Sequence, residues 1–143
     1  RCFCYSSVLG YVRSLHELCY WRKNVLKHQE MSILVKEEYI KAMYTLFCKL
    51  PPFDTYELPP ASKIEWVIVN DRELCGSYSP EPHCITISLA RHTHFTSICK
   101  TVLHEMVHML MYMQGKRYEL HNKTFYKLVD KIGSIYGFDP KEI

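Results

Sequence analysis

Thr96-Ser97-Ile98-Cys99-Lys100-Thr101-Val102-Leu103-His104-Glu105-Met106-Val107-His108-Met109-Leu110-Met111-Tyr112-Met113 is the stretch from which the rest of the chain can be read. Its apolar residues (Ile98, Val102, Leu103, Met106, Val107, Leu110, Met111) fall on nearly every side of a helix, the pattern of one buried in the middle of a domain. Thr96 or Ser97 is the expected cap, and Gly115 the expected stop. Within it, His104-Glu105-Met106-Val107-His108 places two imidazoles at i and i+4, one above the other on a single face, where both can bind one metal ion. Glu105 lies beside that face, within reach of a water on the same ion. Zinc held by nitrogen brings the pKa of bound water to about 7, so a carboxylate can take its proton at neutral pH and deliver it to a leaving amine. Two histidines and a glutamate on a buried helix are costly unless paired or metal-bound.

A catalytic zinc takes three protein ligands and keeps one position open. His121 is the expected third ligand, beyond the Gly115 turn that lets the chain reverse; Glu119 and Asp130 are its rivals. His92 and His94, in Arg91-His92-Thr93-His94, are a candidate second metal pair, more simply read as exposed loop residues. Tyr112 continues the 104–108 register, and with Tyr78 and Tyr118 it is a candidate donor to the oxyanion of a tetrahedral intermediate.

Outward from the motif, Asn122 to Tyr136 reads as a closing helix with Phe125, Leu128, Val129, Ile132 and Ile135 inward, ended by Gly137. Upstream the period changes. Residues 64–69 (Ile-Glu-Trp-Val-Ile-Val) read as a strand, 74–78 as a second short one, and Ser79-Pro80-Glu81-Pro82 as a turn. Residues 84–89 (Cys-Ile-Thr-Ile-Ser-Leu) alternate, as a half-exposed strand does. Helical spacing returns toward the N-terminus, from about Ser6 to Lys27 and from Ser32 to Leu50, where Pro51-Pro52 ends it. The chain therefore predicts one α+β domain over residues 1–143. Residues 1–50 form N-terminal helices, and residues 60–143 hold a small, mostly antiparallel sheet, the motif helix and a C-terminal helix.

The 143 residues carry a net charge of +3, and 48% of them are hydrophobic, an average balance that excludes a disordered chain. No run approaches the ~20 apolar residues that cross a bilayer, so no membrane partner is expected. Seven scattered cysteines without a CxxC pair predict a reducing, intracellular compartment (cytoplasmic or nucleoid-associated, or nuclear in a eukaryote) and exclude a zinc ribbon within these residues. The positive excess lies in the N-terminal third, where Arg13, Arg22, Lys23 and Lys27 accompany Tyr20 and Trp21. Such a helix is a candidate nucleic-acid contact, with a solvated face as the plainer reading.

From about Tyr39 to Ile143 the chain resembles the SprT-like zinc metalloproteases of the zincin group. The resemblance runs through Lys49-Leu50-Pro51, Ile64-Glu65-Trp66, Gly76-Ser77-Tyr78 and Ile85-Thr86-Ile87-Ser88. Its specific parts are the H-E-x-x-H and His121-Asn122-Lys123-Thr124-Phe125, similar to the family's His-Gly-x-x-Phe/Trp. Asn122 stands where the family has Gly, and Asn tolerates a left-handed backbone better than other non-Gly residues. The resemblance implies a zincin-like fold and one catalytic Zn2+ on His104, His108 and His121. It also implies Glu105 as general base and hydrolysis of peptide bonds in protein substrates, DNA-associated proteins among them. A peptide would lie along strand 84–89 as an edge strand. The alternative is a DNA- or protein-binding module braced by zinc without catalysis, with Cys84, Cys99, His92 or His94 as fourth ligand.

Overall fold

The computed structural model describes residues 37–92 and 94–143. The basic stretch with Arg13, Arg22, Lys23 and Lys27, and the helix expected from Ser6 to Lys27, lie outside them. Helix α1 (Glu37–Phe47) turns Ile40, Met43, Tyr44 and Phe47 inward. Glu37 and Glu38 in its first turn complement the helix dipole, and Lys41 pairs with Glu37 at 2.6 Å. Tyr39 and Leu46 face out. The Tyr44 hydroxyl donates to the Pro59 carbonyl at 2.6 Å, and its ring meets Trp66 edge-on at 5.4 Å. Trp66 in turn donates its indole N–H to the Ala61 carbonyl. These bonds satisfy the polar tips of two large side chains, so both can be buried.

Three strands form one sheet: β1 (Glu65–Val69), β2 (Gly76–Pro80) and β3 (His83–Ser88), in the order β1-β3-β2. The sheet is mixed, where a mostly antiparallel one was expected. The two-residue link Glu81-Pro82 folds β2 and β3 into an antiparallel hairpin, while β1 pairs with the other side of β3 in parallel. This order also corrects the reading of residues 84–89. β3 is the central strand, so it has no free edge, and its polar alternates Thr86 and Ser88 are buried. The Ser88 hydroxyl is satisfied by Asp71, donating to its carbonyl at 2.6 Å and accepting from its N–H at 2.9 Å.

Among the described residues β1 and β2 are the two edge strands. The Ser88 N–H bonds to the Cys75 carbonyl, and the Leu89 N–H bonds to Val69 on the far side. By the alternation of an antiparallel ladder, Ser77 and Ser79 then pair inward. Gly76 and Tyr78 turn their N–H and C=O groups outward, and Pro80 its C=O.

Helix α2 (Phe95–Met113) packs against the sheet, α1 and the closing helix, and is buried from Thr101 to Met111. It begins one residue before the expected caps. His94 is the N-cap residue, in extended conformation, and Ser97 donates its hydroxyl back to the His94 carbonyl. Gly115, at φ 65°, lets the chain turn after the helix. Helix α3 (Lys123–Tyr136) buries Phe125, Val129, Ile132 and Gly133 and ends at Gly137, φ 72°. Ile135, expected inward, is exposed. Among the described residues no helix is long and apolar enough to cross a membrane.

Candidate metal centre

The 3.6-residue period of α2 stacks His104 and His108, and their Nε2 atoms lie 3.0 Å apart. The chain reverses after Gly115, and His121, just before α3, brings its Nε2 to 3.2 Å from that of His108. The three imidazoles can each offer one nitrogen to a common metal ion, all within 4.8 Å of one another. Nitrogens around a tetrahedral zinc, each bonded at 2.0–2.1 Å, sit about 3.3 Å apart, and the His104–His108 and His108–His121 spacings are close to that. Glu119 and Asp130 do not belong to the group and are exposed.

Each ring has a fixed seat. His108 Nδ1 lies 2.5 Å from the Tyr118 carbonyl oxygen. That oxygen can only accept, so Nδ1 carries the proton and Nε2 presents its lone pair to the group. Phe125 underlies all three rings, stacked on His121 at 4.2 Å and 4.9 Å from both His104 and His108. It enters this position through the cap of α3, where the Asn122 side chain accepts from the N–H groups of Thr124 and Phe125. Asn122 itself is extended, not left-handed, so its value here is the capping oxygen rather than tolerance of positive φ. Burial, with the neighbouring imidazoles, holds His104 down at about 3 and His108 at about 4, and burial lowers His121. All three rings are thus neutral at physiological pH, the form that binds metal.

Glu105, the next position along the helix from His104, reaches toward Gly76 of β2. It is buried, and burial pushes its carboxyl up to about 8. A Cβ at Gly76 would stand 2.8 Å from Glu105 Oε1 and 2.6 Å from Thr101 Cγ2, so the carboxylate occupies space that only a glycine leaves. Gly76 entered the sequence reading only within Gly76-Ser77-Tyr78, with no role of its own. The signal was present only as a glycine opening a short strand, a common sign of close backbone approach.

The three tyrosines gather beside the site with His83. Tyr78 meets Tyr112 and Tyr118 edge-on at 6.4 and 5.7 Å. The Tyr78 hydroxyl is 2.7 Å from His83 Nδ1, and Tyr112 donates to Glu81 at 2.7 Å. Both of these hydroxyls are therefore engaged, and burial raises that of Tyr78 further from ionisation. His92 is tied to Ser97 and Thr101, each at 3.2 Å, His94 stands at the N-cap position of α2, and neither belongs to the histidine group. Cys84 is buried with Val67 and Val69, and neither it nor Cys99 joins the histidine group.

One comparison with known proteins gives a match: the SprT-like family model fits residues 52–142, more than half of the chain. No curated protein and no solved structure matches it.

Proposed function

Because the chain belongs to the SprT-like family, we propose that it is a zinc-dependent metallopeptidase acting on protein substrates. His104, His108 and His121 are the metal ligands in this reading, and Glu105 is the general base. The observation that carries it is a convergent group of three imidazoles, with a buried carboxyl at the next position of the same helix. Four protein ligands would close a structural zinc site, whereas three leave a position for water or substrate. None of Cys84, Cys99, His92 and His94 belongs to the group, which favours catalysis over a zinc brace.

Bound there, zinc supplies a Lewis acid and a water that ionises near neutral pH. Glu105, whose ionised form the charge of a bound cation would favour over the raised value it has without metal, would take a proton from water and pass it to the leaving amine. An extended substrate lies along the open edge of β2, not along β3, and pairs with the main chain of Gly76 and Tyr78. With Tyr78 and Tyr112 engaged by His83 and Glu81, Tyr118 is the hydroxyl left to face the substrate.

The test is casein digestion combined with metal analysis of the purified protein. Glu105→Gln keeps the metal and loses cleavage, and His104→Ala loses both. A Glu105→Gln variant with undiminished proteolysis would refute the assigned base. Substrates carried on DNA are the class suggested by the resemblance. Adding single-stranded DNA to the digestion tests that extension, because an unchanged rate removes DNA from the reading.

A further inference from the structure

Ser97, Thr101 and Glu105 recur at intervals of four on α2 and therefore share one of its faces. Thr101 is buried there, and its two branches meet different neighbours. The hydroxyl oxygen lies 3.2 Å from the Ser97 carbonyl oxygen and 3.2 Å from Nε2 of His92, in the loop before the helix. The methyl points at β2. A Cβ at Gly76 would stand 2.6 Å from that methyl, 2.8 Å from Glu105 Oε1 and 3.1 Å from the Thr86 carbonyl oxygen. The space left by the glycine is thus walled by the Thr101 methyl, the Glu105 carboxyl and the main chain of β3.

The hydroxyl side decides where the methyl goes. A threonine within a helix divides between two χ1 rotamers, and bonds to its oxygen select one. The Ser97 hydroxyl gives its proton to the His94 carbonyl at 2.6 Å. Its oxygen therefore receives the proton of His92 Nδ1, 3.2 Å away, and in the neutral ring Nε2 is an acceptor for Thr101. We propose that Thr101, anchored by His92, is a positioning residue for Glu105: its methyl closes the Gly76 space beside the carboxyl and limits how far that group can swing. The proposal rests on the peptidase reading given above, in which Glu105 is the base. It also gives His92 a part in the site without making it a metal ligand.

Casein cleavage by zinc-loaded protein, resolved into kcat and KM, tests it together with metal content and the thermal midpoint of the metal-free chain. Thr101→Ser keeps the hydroxyl and removes the methyl, so kcat falls on the order of 10-fold while KM and zinc content hold. Thr101→Val keeps the methyl in the rotamer that a helix prefers and restores kcat, although the bond to His92 is gone. His92→Phe lowers kcat by less, and only while residue 101 is Thr; in the Thr101→Val chain it has no further effect on kcat. In the metal-free chain Gly76→Ala lowers the thermal midpoint less when Thr101→Ser has removed the methyl that it meets. The proposal is overturned if Thr101→Ser retains wild-type kcat, if Thr101→Val is as slow as Thr101→Ser, or if Gly76→Ala costs the same in both chains. Should Thr101→Ser fail to fold, Thr101→Val and His92→Phe decide, and a loss of kcat in His92→Phe that persists with Thr101→Val overturns it. A wild-type protein that binds zinc and cleaves nothing overturns the peptidase reading itself, a result distinct from active variants with unchanged kcat.

Discussion

On the side of α2 that faces α3, His108 is steadied by the main-chain carbonyl of Tyr118. On the side that faces β2, Glu105 is placed by an empty volume, the missing Cβ of Gly76. A main-chain acceptor depends on where the chain runs and survives most changes of side chain. An empty volume depends on one residue type and is lost with a single methyl group. On the proposed reading, the metal-binding half of the site should therefore tolerate substitution in its supporting loop, and the acid–base half should not.

The two sides also respond to pH in opposite directions, which gives the largest expected effect. The histidines are held neutral, well below the ordinary value of 6.5. Their contribution to the stability of the metal-free protein is complete above pH 6.5 and is lost as the pH falls toward 3. The Glu105 carboxyl is raised from 4.5 to about 8. Its contribution is complete below pH 4.5 and is lost as the pH climbs to 8. Each limb should amount to several kcal/mol, because a tenfold change in proton affinity on folding is worth about 1.4 kcal/mol. Thermal midpoints of metal-free protein between pH 4 and 9 should peak between the two limbs. Glu105→Gln should flatten the alkaline limb alone, and a variant that flattens both would break the comparison.

Gly76→Ala comes next. A displacement of about 1 Å in a catalytic group costs on the order of 10²-fold in rate, so kcat should fall by about that factor while metal content stays at the wild-type level. Overpacking should also cost about 1–3 kcal/mol of stability. Equal losses of metal and of activity would mean that the two sides are not separable. The smallest effect is expected at Asn122→Ala, which removes the α3 cap for about 1 kcal/mol. Because that cap seats Phe125 under the imidazoles, the same variant sharpens the comparison by showing whether metal affinity follows the helix end.

Much of this was legible in the residues. The period of α2, the i,i+4 histidines and the Gly115 turn brought His121 to the site without knowledge of the fold, because each is a local signal. The sheet was less legible. Alternation at 84–89 reports that side chains point to opposite faces, but not which strands lie alongside. The central place of β3 follows from pairing across the chain, as does the burial of Thr86 and Ser88. The start of α2 was misread because Thr96 and Ser97 suit a cap by composition, while the extended backbone that a cap requires is found at His94. Gly76 and the Tyr118 acceptor were hidden for a related reason. A missing Cβ, or an acceptor on a distant main chain, leaves almost no trace in composition or spacing.

The open side of β2 bears on how copies of the molecule treat one another. Exposed strands invite like strands to zip together into a growing ribbon. Here outward-facing amides occur at Gly76 and Tyr78, and Pro80 has no N–H to give at the next outward place. A neighbouring copy finds two rungs and then a dead end, too few for a ladder to propagate. The same brevity favours a loose single strand over a folded sheet as the visitor at this border.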